Sequence, residues 1–425
     1  MTAQKAKDGS AGTFAPLGIH RATPVGHLSG EETKAIISEV RETGIYNPIS
    51  STDFLAFKQQ AIANQSVSKM VPMKSIKLKA HGGGYALQYD GVNFTLSSQA
   101  VKSMMNLLNV KPKLLNTVGK HSSREAKQGL IDLLQKALLE SISKSKSKHD
   151  YSSLYLHANF ATMTISGLSW KDQVKMPIDK FFNLVEDSVS AKNLDIVNMG
   201  YDGGNIRITS INKNWGFDVP GMRDESFNTG LTFKNGFAAG TTVSPFLLRL
   251  VCANGSIIAT EEQTIQLKEL RQDHIQKFLS EVKNFSEQDL NTALYVERIK
   301  RMSKIQASLA EVEFLRGKMK DGAPLKQEEM ATGGIIESFI PLAGFYNEYI
   351  AKTGIDLTEI TSHQERLVKS PYNAWNLFNR FTDFASHNVG GITVPEYART
   401  EMLHQAGKFM FRQGYDMEQI MPQIV

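Results

Sequence analysis

Cysteine is almost absent: the 425 residues contain one, Cys252. A single thiol excludes a disulfide within the chain and any zinc cluster built on several cysteines. It fits a reducing, cytoplasmic setting. Long hydrophobic runs are missing too. No stretch reaches the roughly 18 apolar residues that a membrane helix needs, so no membrane partner is expected. The opening residues, MTAQKAKDGSAGTFAPLG, lack the apolar run of a signal peptide and read as a flexible tail over 1–29. Signatures of known chemistry are equally scarce. The HGGG stretch, His81 to Gly84, resembles an oxyanion-hole loop, but no G-x-S-x-G elbow exists to use it. No G-K-[ST] follows it, so it is no phosphate loop. It reads as a bend between strands. No histidine or carboxylate cluster has metal-ligand spacing, no cofactor is expected, and no internal repeat is present.

What is present is the composition of a globular chain: 41% hydrophobic residues, 21% charged, and a net charge of only +5. That charge is unevenly placed. Residues 1–150 hold 20 Lys and Arg against 11 Asp and Glu; the remainder holds 28 against 32. Such asymmetry points to an anionic partner for the first third.

Periodicity divides the chain into regions. Over 30–142 a basic α+β region is expected. Ser51-Thr52-Asp53 caps a helix with Phe54, Phe57 and Ala61 on one face. Residues 75–96 then switch to period two as a meander with a two-residue turn at Asp90-Gly91. Helices carrying Val101 and Met104, then Leu130, Leu133, Leu134 and Leu138, follow. The polar SKSKSKHD, Ser143 to Asp150, is the expected domain boundary.

A β-β-β-α core with two long helices is expected over 151–325. Strands lie near Leu154–Leu156, Thr162–Ile165, Ile206–Ile208, Phe227–Phe233 and Phe246–Cys252, with a helix from Pro177 to about Val189. Asn235-Gly236 and Asn254-Gly255 are turn signals. Thr260 and Gln263 form a capping box for the first long helix. Ser286 and Asp289 cap a second, whose seam runs Met302, Ile305, Leu309, Val312. Residues 326–425 are expected to be mainly helical, with one helix opening at Ser370-Pro371. The fold class is therefore α+β: antiparallel β-meanders packed against long helices, with a helical C-terminal region.

Two sets of residues are candidates for function. Lys77 and Lys79, beside Tyr85 and Tyr89, combine phosphate-neutralising cations with rings on which bases stack. Arg298, Arg301 and Lys304 stud the second long helix, and Lys144, Lys146 and Lys148 add a cationic loop. The second set is Asn379, Asp383 and His387. Their spacing of four puts them on one helix face, where Asp could orient His for general base work. Cys252 lies mid-strand, where burial makes a thiol inert.

Three stretches resemble the phage/plasmid-like proteins grouped as domain of unknown function 932: RLVCANG (Arg249 to Gly255), NAWNLFNRFTDFASH (Asn373 to His387) and FTLSSQAVKSMMNLLNVKP (Phe94 to Pro112). Three positions depart from that pattern, one being Asp383, which follows Thr382 where the family usually has T-E. The family's N-S-x-D-G-S segment corresponds to Asn235 to Thr241, which lacks the aspartate, and Ser386 replaces the acidic residue before His387. The resemblance thus implies a phage or plasmid setting rather than an activity. The β-β-β-α order is also similar to the core of single-strand annealing recombinases. The leading expectation is a nucleic-acid-binding protein, single-stranded DNA favoured, serving annealing or replication. An enzyme using Asn379, Asp383 and His387, with Asn254 nearby, is the second reading. A structural or virion-associated protein is the third. A homo-oligomer is left open.

Overall fold

The computed structural model describes residues 48–81, 84–97, 100–101, 103–104, 123, 125–126, 128–133, 135–136, 153–170, 173–202, 204–222, 225–237, 240–249, 255–256, 264–323, 335–361, 363–386, 392, 394 and 396–411. The expected tail over 1–29, the 143–150 link, Cys252, Asn254 and His387 lie outside them. The architecture is α+β, with helices packed on antiparallel and mixed sheets and a helical C-terminal region.

Helix α1 (Ser51–Ala63) begins where the Ser50 hydroxyl accepts the Asp53 amide, one residue earlier than expected. It buries Phe54, Phe57 and Ala61. Six strands follow: β1 (Val67–Pro72), β2 (Ile76–His81), β3 (Gly84–Tyr89), β4 (Val92–Leu96), β5 (Ser153–Asn159) and β6 (Thr164–Ser169). The β3–β4 turn is Asp90-Gly91, both at positive φ (52° and 77°), as a two-residue hairpin of this kind requires.

These strands form one sheet in the order β1-β5-β6-β4-β3-β2, antiparallel except for β4 beside β6. Strands β1 and β2 are its opposite edges, yet only residues 73–75 join them. In a flat sheet the edges would lie about 24 Å apart, whereas that connection reaches at most about 14 Å. The sheet must therefore curl. Consistent with this, Lys69 Nζ of β1 sits 5.0 Å from the ring centre of Tyr89 on β3. Gln128 and Gln135, both in helical conformation, hydrogen-bond Ile76 and Leu78 and so occupy the free edge of β2. One long bent strand (β1 plus β2) shared by both edges, a parallel third–fifth pairing, and helical residues between the third and fourth strands make this the connectivity of an OB-type barrel.

The expected boundary at 143–150 does not separate two folding units, because strands from both sides interleave in this barrel. Its interior holds Ile76, Leu78, Leu87, Phe94, Leu96, Leu154, Leu156 and Ile165, joined by Ala100, Met104 and Ile131. Ile131 takes the inward position, while Leu133, expected inside, is 62% exposed.

Helix α2 (Ile178–Lys192) leads into a second sheet of β7 (Asp195–Asp202), β8 (Asn205–Asp218), β9 (Ser226–Gly236), β10 (Gly240–Arg249), β11 (Gly255–Ser256) and β12 (Ile265–Gln266). This is an antiparallel meander in the order β7-β8-β9-β10-β11, with β12 also paired to β10. Asn235 and Gly236 are not the turn; they stay in register opposite Thr241 and Gly240. One face of this sheet packs α1, α2 and α3 (Gln272–Asn284) onto Ile206, Ile208, Leu231, Phe233 and Val243. Helix α3 starts at Gln272, well past the expected Thr260–Gln263 box; Leu267 is buried before it and Leu270 is exposed.

The second long helix is in fact two. Helix α4 (Thr292–Lys304) is capped by Asn291, and the Ser286–Asp289 box belongs to a 3-10 turn before it. Strand β13 (Gln306–Ser308) interrupts the seam, and a Ser308–Glu311 capping box opens α5 (Leu309–Gly322). After α6 (Ala343–Thr353) comes β14 (Lys369–Asn373), paired with β13. Ser370-Pro371 therefore lies in a strand. Helix α7 (Ala374–Ser386) begins after it, where the Asn373 side chain accepts the Asn376 amide. Helices α4, α5, α7 and α8 (Glu396–Met410) share one core with Ile211, Phe227, Phe246 and Leu248. The expected division at 325/326 thus cuts through a single core.

Candidate nucleic-acid interface

Successive residues of a strand face opposite sides, and the barrel registers show which residues share a side. Lys77 lies opposite Gln88 and Lys79 opposite Ala86. Gln88 in turn faces Asn93, and Ala86 faces Thr95. These residues line the outer side of β2, β3 and β4, because Ile76, Leu78, Leu87, Phe94 and Leu96 fill the interior. Lys77, Asn93 and Thr95 are exposed, and Lys79 and Gln88 are half-buried. The two lysines recur on alternate residues, about 7 Å apart along the strand. Phe160, in the turn joining β5 to β6, is 39% exposed and meets Phe94 edge to face at 5.6 Å. Asn159 holds that turn by accepting the amides of Ala161 and Thr162. Phe160 escaped sequence reasoning; its only signal was an aromatic in a polar strand connection.

Elsewhere the outer side of the barrel is occupied. Phe237, from the β9–β10 connection, stacks on His157 of β5 with ring centres 4.2 Å apart. A Cβ at Gly167 would stand 2.3 Å from that phenyl ring, so glycine lets the ring lie flat against β6. His157 Nδ1 meets Ser68 Oγ at 2.8 Å, and its Nε2 meets Ser169 Oγ at 2.8 Å. Lys175 Nζ donates to Ser68 Oγ at 2.5 Å. Burial, with a smaller push from Lys175, lowers the imidazole pKa to about 3, so the ring is neutral. Phe237 therefore covers part of the outer side of β5 and β6, and the outer side of β2–β3–β4 carries the candidate interface.

The other expected binding residues are placed differently. Tyr89 shares the inner side with Leu87 and packs on the barrel core, away from Lys77 and Lys79. Stacking by Tyr89 beside those lysines is thereby corrected: the period of two that exposes the lysines turns the tyrosine inward. Tyr85 lies in β3, and its side chain is outside the described residues. Arg298 is 8% exposed, with its guanidinium 5.6 Å from the Phe411 ring centre, so it is not a surface phosphate contact. Burial, with a smaller push from Arg301, lowers its pKa from the ordinary value. Arg301 bonds Glu297 at 2.5 Å, one turn back on the same helix. Lys304 is exposed at the end of α4. The α4 cations belong to the C-terminal core and the strand lysines to the barrel.

Of the Asn/Asp/His set, Asn379 and Asp383 are half-buried on α7. Asn379 Oδ1 is buried with no hydrogen-bond partner among the described residues. Gly255 stands in β11 opposite Leu248, and α7 packs against β11. Two of the motif stretches are tied together by a residue outside both. Buried Glu225 accepts Arg249 Nε at 2.6 Å and a terminal guanidinium nitrogen at 2.7 Å, and Trp375 Nε1 at 2.7 Å. Arg249 and Trp375 thus clamp the β10 end to α7. Among the described residues no group of His, Cys, Asp and Glu is arranged to hold a metal ion. Comparison of the chain with protein-family models, curated proteins and solved structures found no match.

Proposed function

We propose that this chain binds single-stranded nucleic acid across the outer side of β2–β3–β4. The observation that carries the reading is the register that places Lys77 and Lys79, with Gln88, Asn93 and Thr95, on one side of a closed barrel whose other side is apolar. Ammonium groups neutralise phosphates, and the amides and hydroxyl supply hydrogen bonds. Phe160 at the rim offers a ring for a base. OB-type barrels commonly present this part of the barrel to oligonucleotides; that support is analogy at the level of fold. The motif resemblance adds a phage or plasmid setting, in which single-strand annealing or a replication accessory role fits the chemistry.

Fluorescence anisotropy with a labelled single-stranded oligonucleotide tests the proposal. Binding at low salt that weakens steeply as salt rises is expected, and Phe160→Ala should weaken it further. An oligonucleotide that stays free at micromolar protein in low salt removes the proposal.

A further inference from the structure

One residue in the turn joining β5 to β6 has a backbone conformation that its side chain does not suit. Among the described residues three that are not glycine have positive φ: Asp90, Met163 and Asn193, at 52°, 50° and 49°. Aspartate and asparagine tolerate this left-handed region because their short polar side chains bond locally; a long apolar side chain has no such compensation. Strain of this kind persists only where the surroundings hold it, and it gathers at sites that clamp ligands. Here the surroundings do hold it. Asn159 Oδ1 accepts the amides of Ala161 and Thr162, and the Thr164 hydroxyl donates to the Thr162 carbonyl at 3.2 Å. The Met163 carbonyl accepts the Thr95 amide at 2.9 Å, which fixes the turn against β4. Yet the side chain that causes the strain is 44% exposed and belongs to none of the three apolar cores. Packing does not account for methionine at this position, and glycine would make the same turn without strain. The same turn also exposes Phe160.

We propose that Met163 is a base-contacting residue of the β2–β3–β4 interface, and that with Phe160 it selects unpaired bases over a duplex. The assignment rests on the strand-binding reading above and gives the strained turn its role in it. Thr95, bonded to the Met163 carbonyl, is an exposed residue of that interface, so the turn stands at its β4 border. A nucleobase has two apolar faces. A phenyl ring stacks on such a face, and a polarisable thioether packs well against ring systems. In a duplex those faces are already stacked on neighbouring bases, so only a single strand offers one without the cost of unstacking. Lys77 and Lys79 cannot make that distinction, because phosphates are present in both forms. The lysines supply attraction for the backbone, and the apolar turn supplies the preference for unpaired bases.

Met163→Gly removes the side chain and suits the positive φ. Its effect in the full chain is read by anisotropy of a labelled single-stranded oligonucleotide, and of the same oligonucleotide annealed to its complement. The variant should bind the single strand about threefold more weakly or worse, with duplex affinity unchanged. Its salt dependence should match the parent's, because no charge is lost. It should melt no lower than the parent, since the strain leaves with the side chain. Met163→Leu keeps an apolar side chain and should retain most of the preference for the single strand. Four results overturn the assignment while leaving the Lys77 and Lys79 interface standing: parent-like single-strand affinity in Met163→Gly, equal losses for single strand and duplex, a lower melting temperature, or a loss in Met163→Leu as deep as that in Met163→Gly. A parent chain that binds no oligonucleotide removes the interface and this assignment together.

Discussion

Glu225 accepts three hydrogen bonds from two residues while almost fully buried. A buried ion pair adds little over an apolar pair of the same shape, but removing one charge strands the other. Glu225→Gln keeps the shape and removes the charge that faces the Arg249 guanidinium. It should cost on the order of 3 kcal/mol, read as a lower urea midpoint with an unchanged slope. His157 makes a different residue-scale prediction. Its folded pKa of about 3 lies below the ordinary histidine value of 6.5. On acidification the unfolded chain therefore takes up the proton first. Its contribution to stability is complete above pH 6.5 and is lost as pH falls toward about 3. Inside that window the slope reaches at most about 1.4 kcal/mol per pH unit. His157→Gln should flatten the stability curve there, whatever it does to stability at neutral pH. An equally steep curve in the variant, followed by circular dichroism, removes the assignment.

At the scale of elements, α4 and α5 show how a hydrophobic seam misleads. Met302, Leu309 and Val312 are all buried, as a continuous helix would require. Yet Ser308 turns out to be a helix start: its hydroxyl accepts the Glu311 amide while Glu311 reaches back to the Ser308 amide. The short strand β13 is stabilised by β14, which lies more than sixty residues later in the chain. Ser308→Ala should lower stability by about 1 kcal/mol, measurable by denaturant unfolding. Ser308→Asp keeps an acceptor at the cap and should lose less.

Across the whole molecule, a small barrel docks by Phe237 and His157 onto a sheet whose two faces pack separate helical cores. The proposed strand-binding face is the outer side of β2–β3–β4, on the other sheet from those cores. The salt dependence of strand binding reports how many cations act at the interface. Each phosphate neutralised contributes a slope of about −0.7 in log affinity against log salt. Lys77→Gln with Lys79→Gln should therefore make the slope shallower by about 1.4 and leave the melting temperature unchanged, since neither ammonium is buried in a core. An unchanged slope means that the lysines do not touch the strand.

Sequence alone settled what depends on neighbours within a turn or two. The Asp90-Gly91 hairpin needs positive φ at two adjacent positions, and these residues tolerate it. The apolar faces of residues 51–63 and 178–192 repeat at helical spacing, so Phe54, Phe57, Phe181, Leu184 and Val185 could only turn inward. Alternation likewise marked Ile76, Leu78, Leu87 and Phe94 as one face. Alternation even implied that Tyr89 shares a side with Leu87, but which side of β3 meets Lys77 depends on pairing between strands. The parallel joining of β4 to β6, the inward turn of Arg298 and the Glu225 clamp were decided by tertiary structure. Each is a contact between segments brought together by the whole fold. A local pattern encodes which face of an element is apolar, whereas its partner and register are set by the balance of every core at once.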